Sequence, residues 1–254
     1  MVISPSKKKK LLEDQNQIKN MENEILITNE NKAPIETHCL IVLDKSGSMW
    51  GTVNSTVNGV NEQLQMLKRL ETEFPDQKYF VTILAFSDVM QPIIKGVPAG
   101  EVKEFTTDDY KPNGGTALHD AIGFGITELN QDIQEKVVNG IATGMVVIIT
   151  DGEENSSKEY DSESVKALIT EVEKTGKWTV SFIGANQDAV LTARKFGINV
   201  SNVANYVSNE LGTQALHKSV SSSYYTRAAK LSKGEDITMD FLASNDIKPE
   251  DEQK

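Results

Sequence analysis

"LIVLDKSGSMWG", residues 40–51, runs four apolar residues, Leu40, Ile41, Val42 and Leu43, straight into an aspartate, then sets Ser46 and Ser48 at alternate positions around a glycine and follows them with Trp50. An unbroken apolar run is the mark of a strand in a parallel sheet whose two faces are both covered by helices. Ordinary turn chemistry accounts for Asp, Ser and Gly in a loop. It does not call for three small oxygen-bearing side chains, Asp44, Ser46 and Ser48, at the end of a strand buried on both faces.

Outward from this stretch the chain alternates strand and helix patterns. "HCLIVL" (38–43) is the first firm strand. In "VNSTVNGVNEQLQMLKRLETEF", Val53, Val57, Val60, Leu64, Leu67 and Leu70 recur at three- and four-residue spacing, which predicts one buried helix face. "YFVTILAF" (79–86) reads as a strand, and "MQPIIKGVP" (90–98) as an antiparallel edge strand, since Pro92 and Pro98 cannot donate to a ladder on both sides. The loop "DDYKPNGGT" leads into a helix from 117 to about 136, followed by the strand "GMVVIIT" and the polar loop "DGEENSSKEYD". "SESVKALITEVEKTG" is a helix with Ser162 as its N-cap and Gly176 as its stop. The strand "WTVSFIGA", the helix "QDAVLTARKFG" closed by Gly197, the short strand "NVANYVS" and a final helix "ELGTQALHKSVSSSYYTRAAKLS" complete the pattern. Such alternation predicts an α/β fold, a doubly wound, mostly parallel sheet with "HCLIVL" near its middle and one antiparallel edge strand. The expected organisation is a polar N-terminal tail over 1–34, with a short strand at "EILIT", a domain over 35–232 that includes the C-terminal helix, and a polar tail over 233–254.

Bulk properties narrow the function. With 254 residues, 38% hydrophobic and 25% charged, the chain can bury a sizeable core and is not a disordered chain. A net charge of −11 argues against a general binder of phosphate backbones, and no nucleic-acid partner is expected. The "KKKK" run at 7–10 belongs to the polar tail and reads as solvated. Cys39 is the one cysteine, so no intramolecular disulfide can form, and within its strand it acts as a small buried hydrophobe. There is no apolar signal segment at the N-terminus, and the longest apolar run, "MVVII" at 145–149, is far too short to cross a membrane. A cytoplasmic protein without a membrane partner is expected. Met21 opens a second start-like stretch, "MENEILI".

In open α/β sheets ligands sit outside the carboxyl ends of the strands, near the point where the strand order reverses. Three loops at those ends offer oxygens: Asp44, Ser46 and Ser48 after the first strand, Thr116 at the end of "NGGT", and Asp151 after "MVVIIT". Such hard donors suit Mg²⁺ or a similar cation, not a zinc ion that prefers nitrogen and sulfur. Gly47, Gly114, Gly115 and Gly152 permit tight backbone between them.

"DKSGS", then "GGT", then "ITDG" resembles the von Willebrand factor A domain with its metal-ion-dependent adhesion site, over roughly residues 36–210. The resemblance implies a Rossmann-like fold in which Ser46, Ser48 and Thr116 are hydroxyl ligands of Mg²⁺ (or Mn²⁺ or Ca²⁺), and Asp44 and Asp151 are carboxylates bound directly or through water. It further implies that an acidic side chain of a protein partner fills the remaining coordination position. Stand-alone intracellular domains of this kind, from bacteria, archaea and phages, work beside an ATPase or kinase, which makes such a protein a candidate partner. The expected function is therefore a non-catalytic, metal-dependent protein–protein binding module. A rival is a Mg²⁺-dependent phosphohydrolase, but such enzymes place two aspartates two apart after the first strand, and the second position here is Ser46, which cannot serve as acid or base. No phosphate loop and no HExxH pattern occurs. A third alternative is a structural component whose cation only stiffens the loops. Trp50 either rims the partner site or packs over the first helix. The loop "EENSSKE" reads as solvated or as a tuner of partner choice. His38, His119 and His217 are scattered, which favours structural roles, and Trp178 reads as core.

Overall fold

The computed structural model describes residues 33–185 and 189–242. The chain divides into two units, 1–34 and 35–254. Only Ala33 and Pro34 of the first are described, so the "KKKK" run and the strand expected at "EILIT" lie outside the described residues.

In the second unit the strands are β1 Ile35–Asp44, β2 Gln77–Phe86, β3 Met90–Pro98, β4 Ala142–Thr150, β5 Trp178–Ala185 and β6 Val203–Tyr206. They form one sheet in the order β3-β2-β1-β4-β5-β6, parallel throughout except for the antiparallel β2–β3 pair at the edge. The helices are α1 Val53–Glu73, α2 Leu118–Val138, α3 Ser162–Glu173, α4 Ala189–Lys195 and α5 Glu210–Ser232. This is the doubly wound arrangement that the alternating pattern predicts. β1 starts three residues before the apolar run, because the N–H groups of Ile35 and Glu36 bond Asp76 O and Ile141 O at 2.9 Å each and draw the polar "IET" into the sheet.

Successive residues of β1 point to opposite faces. Cys39, Ile41 and Leu43 join the core under α1 and α5, while Leu40 and Val42 join the core under α2, α3 and α4. The helix face read from α1 is the buried one: Val57, Val60, Leu64, Leu67 and Leu70 are inside and Val53 is partly covered. Trp178 is fully buried, as is Cys39, whose thiol burial pushes up to about 12.

Three expectations need correction. Ser162 is not the N-cap of α3: Asp161 is, accepting from Ser164 N while Ser164 Oγ accepts from Asp161 N, a reciprocal capping box. The ionised acceptor one residue earlier makes the stronger cap. The segment beyond 232 is not a plain polar tail, since Ile237, Phe241 and Leu242 are buried and Leu242 N bonds Ser201 O at 3.1 Å. These apolar residues are too few and too widely spaced to show a period. The third concerns the loop after β4, described below.

The inner face of α5 mixes polar residues with apolar ones. Arg227, buried, has no carboxylate partner among the described residues; its guanidinium donates to Thr179 Oγ1 (2.7 Å), Thr143 Oγ1 (3.2 Å) and Gly144 O (3.3 Å), pinning α5 to β4 and β5. His217 lies fully buried where α5 meets α1, against Gly59, with Nδ1 bonded to Gln63 Nε2, whose own Oε1 accepts from Tyr224 at 2.7 Å. Burial pushes His217 down to about 4, against about 6.5 in an unfolded chain. Between those values the unfolded state binds the extra proton, so this contribution is intact above about pH 6.5 and is lost as pH falls toward 4. The His217→Gln variant should therefore lose less stability than wild type between pH 7 and pH 4.5, by on the order of 2–3 kcal/mol, read from urea midpoints at the two pH values. Parallel losses in the two proteins would contradict the assignment.

Candidate metal centre

β1 and β4 lie side by side and parallel, and their carboxyl ends come out together. From β1 the chain turns to β2 on one side; from β4 it turns to β5 on the other. That divergence opens the crevice in which doubly wound sheets hold ligands. Asp44 is the last residue of β1, and Asp151 is the first after β4.

Asp44 is fully buried. Its Oδ1 accepts from Ser46 N at 2.7 Å, its Oδ2 from Thr150 Oγ1 at 2.6 Å, and its carbonyl from Tyr110 OH at 2.6 Å. Ser46 Oγ and Ser48 Oγ are 3.1 Å apart, and Ser48 Oγ donates to Asp151 Oδ1 at 2.6 Å. The other oxygen of Asp151 accepts from Ser208 Oγ at 3.1 Å. Thr116 Oγ1 and Asp44 Oδ2 both face Gly152, lying 3.0 and 3.7 Å from where a Cβ would stand there. The five residues singled out in the sequence thus gather at one edge of the sheet. Asp44, Ser46 and Thr116 form the buried floor, Asp151 is half-buried and Ser48 exposed, so the group opens to solvent on one side.

Burial pushes the Asp44 carboxyl up, and the nearby Asp151 charge adds to this, against the hydrogen bonds from Thr150 and Ser46. The same two carboxylates raise the phenol of Tyr206, which burial already pushes up. The Tyr206 hydroxyl is buried with no hydrogen-bond partner among the described residues. A buried acid short of counter-charge and an orphaned hydroxyl under its field both fit a hydrated divalent cation. The donor set, two carboxylates and three hydroxyls, fits a hard ion such as Mg²⁺ or Mn²⁺. Among the described residues no three His, Cys, Asp or Glu side chains gather into a group that could hold a metal ion, so hydroxyl oxygens have to complete any shell built on Asp44 and Asp151.

The loop "EENSSKE" is partly exposed but is not merely a solvated loop. Helix α2 begins after Ala117, which has no capping side chain. Its first N–H groups take acceptors from this loop instead: His119 N bonds Glu154 Oε2 (2.9 Å) and Asp120 N bonds Ser157 Oγ (3.1 Å). In return the buried Asp120 carboxylate accepts from Lys158 N, Glu159 N and Tyr160 N at 2.8–2.9 Å. Burial raises the Glu154 carboxyl, but hydrogen bonds from Ser157 Oγ (2.6 Å), His119 N and Ser157 N hold it below the usual carboxylate range. The sequence signal is a helix that opens on a residue unable to cap it, which obliges the cap to come from elsewhere. Trp50 is 65% exposed, so it is not packed down over α1. His38 stacks on Phe80 and bonds Glu36, and His119 packs edge-on to Phe196.

The sequence model described as "von Willebrand factor type A domain" matches residues 39–221. Inter-alpha-trypsin inhibitor heavy chain H2 of Mesocricetus auratus is 27% identical over 125 residues, 49% of this chain and 13% of that one. The pilus adhesin SpaC from Lactobacillus rhamnosus GG has a TM-score of 0.54 at 15% identity, over 76% of this chain and 30% of that one. A von Willebrand factor type A structure from Catenulispora acidiphila has a TM-score of 0.50 at 14% identity, over 76% and 43%. At such identities the structures show the fold alone. The chain spans less than half the length of each of these relatives.

Asp120→Ala removes the acceptor of three backbone N–H groups. It should lower stability by about 2–4 kcal/mol and speed amide hydrogen exchange across 158–160 while the sheet amides stay protected. Unchanged exchange there would show that the strap does not hold the loop.

Proposed function

The chain belongs to the von Willebrand factor type A domain family, and on that premise we propose that it is a non-catalytic, metal-dependent protein-binding module. The observation that carries this is the convergence of Asp44, Ser46, Ser48, Thr116 and Asp151 from three loops on one edge of the sheet, open to solvent on the Ser48 side. These five would hold Mg²⁺ or Mn²⁺, which when bound supplies a Lewis-acidic contact for one more oxygen ligand. With only two carboxylates in the set, the shell leaves a doubly positive ion close to neutral, so a further carboxylate is still attracted; three or four would repel it. The partner accordingly offers one Glu or Asp, and the exposed Trp50 meets the surface around it.

The whole chain is acidic, at −11. Long-range attraction therefore does nothing for an acidic partner, and it is screened beyond about 8–10 Å at physiological salt. Recognition rests on the short-range contact. A cytoplasmic setting, with an ATPase or kinase as partner, remains part of the proposal. Among the described residues no helix is long and apolar enough to cross a membrane. Ser46, where a phosphohydrolase would carry its second aspartate, favours binding over turnover.

Calorimetry should show wild type taking up one equivalent of Mn²⁺ or Mg²⁺ and Asp44→Ala taking up none. Equal uptake by the two proteins overturns the site. No phosphoester hydrolysis above background is expected; turnover that vanishes in Asp44→Asn would install the enzyme in its place.

A further inference from the structure

Asp44 ends β1 and Asp151 directly follows β4, while Ser46 and Ser48 lie on the turn after β1, which is bonded back to both carboxylates through Ser46 N and Ser48 Oγ. Thr116 is different. It lies near the end of an irregular stretch that runs from residue 102 to residue 117, and no strand fixes it. Its neighbours are tied one bond at a time: Gly115 N to Asp88 Oδ1 (2.8 Å) and Ala117 N to Ser87 O (2.9 Å). Thr116 itself is held at both ends by a single residue of the β4–α3 loop. Its N–H donates to Asn155 Oδ1 at 2.9 Å, and its carbonyl accepts from Asn155 N at 3.0 Å.

We propose that Asn155, which contacts none of the donor oxygens, is a positioning residue for the metal centre, setting where the Thr116 hydroxyl stands. The proposal rests on the metal-binding function above and deepens it. Two hydrogen bonds to one residue fix both the position and the rotation of the Thr116 peptide units, which a single bond does not. The approach is close: a Cβ at 115 would run into Ser156 Oγ and lie 2.6 Å from Asp88 Oδ1 and 2.8 Å from Asn155 Oδ1, so a side chain there would force these groups to shift. Asn155 Oδ1 is in turn oriented by Ser156 Oγ at 2.6 Å, and the loop is clamped on either side by Glu154 and by Asp120. An outer group of this kind alters metal affinity about 10- to 100-fold without touching the ion.

The test is a calorimetric MnCl₂ titration of the full chain as wild type, Asn155→Ala, Asn155→Asp, Thr116→Ala and the Asn155→Ala/Thr116→Ala double variant, with melting temperatures taken in EDTA. Asn155→Ala should weaken Mn²⁺ by about 10-fold or more while melting within about 4 °C of wild type. Asn155→Asp keeps the Oδ1 acceptor for Thr116 N and should bind Mn²⁺ within about threefold of wild type. If the effect passes through Thr116, adding Asn155→Ala to Thr116→Ala should cost nothing further. Should Asn155→Ala fail to fold, Asn155→Ser, too short to reach Thr116 N, takes its place in the cycle. Wild-type affinity in a folded Asn155→Ala, or additive losses in the double variant, overturns the proposal while Thr116→Ala still reports on the metal site. A wild type that takes up no Mn²⁺ overturns the metal-binding function and this proposal together.

Discussion

Asp44 is buried at the end of the central strand, where a carboxylate must find its partners in the protein. Desolvating it is costly unless hydrogen bonds or counter-charge make up the loss. Two of its oxygens find donors in Ser46 N and Thr150 Oγ1, and those two contacts tie together the loop after β1 and the last residue of β4. The strands themselves cannot diverge before this point, because β1 is covered on both faces and paired on both edges. The carboxylate thus sits at the first place where the chain is free to turn.

Around that fixed point the loops do unequal work. The turn after β1 carries its donors on a 3₁₀ segment, Gly47–Thr52, closed against Gly114 O by Gly47 N at 3.1 Å. The loop after β4 supplies Asp151 to the oxygen cluster and then caps α2 with side chains, so one segment serves both the cluster and a helix N-terminus. Local unfolding of such a segment would release Asp151 and a helix cap at once, which makes order in the loop and order in the cluster a single property.

The apolar period of α1, the unbroken run of β1, the prolines of β3 and the order "DKSGS", "GGT", "ITDG" were all legible in the sequence, because each depends on residues close together in the chain. What escaped was long-range polar pairing. Asp120 with the N–H groups of 158–160, Glu154 with His119 N, and Asn155 with Thr116 span 35 to 40 residues, and no local pattern encodes them. The inner face of α5 escaped for a related reason. Its buried positions hold Thr213, His217, Ser221 and Arg227 alongside Leu216, Val220 and Tyr224, so polarity and burial do not follow each other along the helix. The N-cap shift from Ser162 to Asp161 is the usual one-residue ambiguity where two capping residues are adjacent.

The sheet is bounded on its two sides by different means. β3 carries Pro92, which has no N–H, and Gly96 at φ 61, and its register against β2 shifts twice over its length. β6 is four residues long. Broken register, a missing donor and shortness are the features that keep exposed strand edges from templating one another. Many copies brought side by side at high concentration would therefore crowd without their sheets fusing edge to edge.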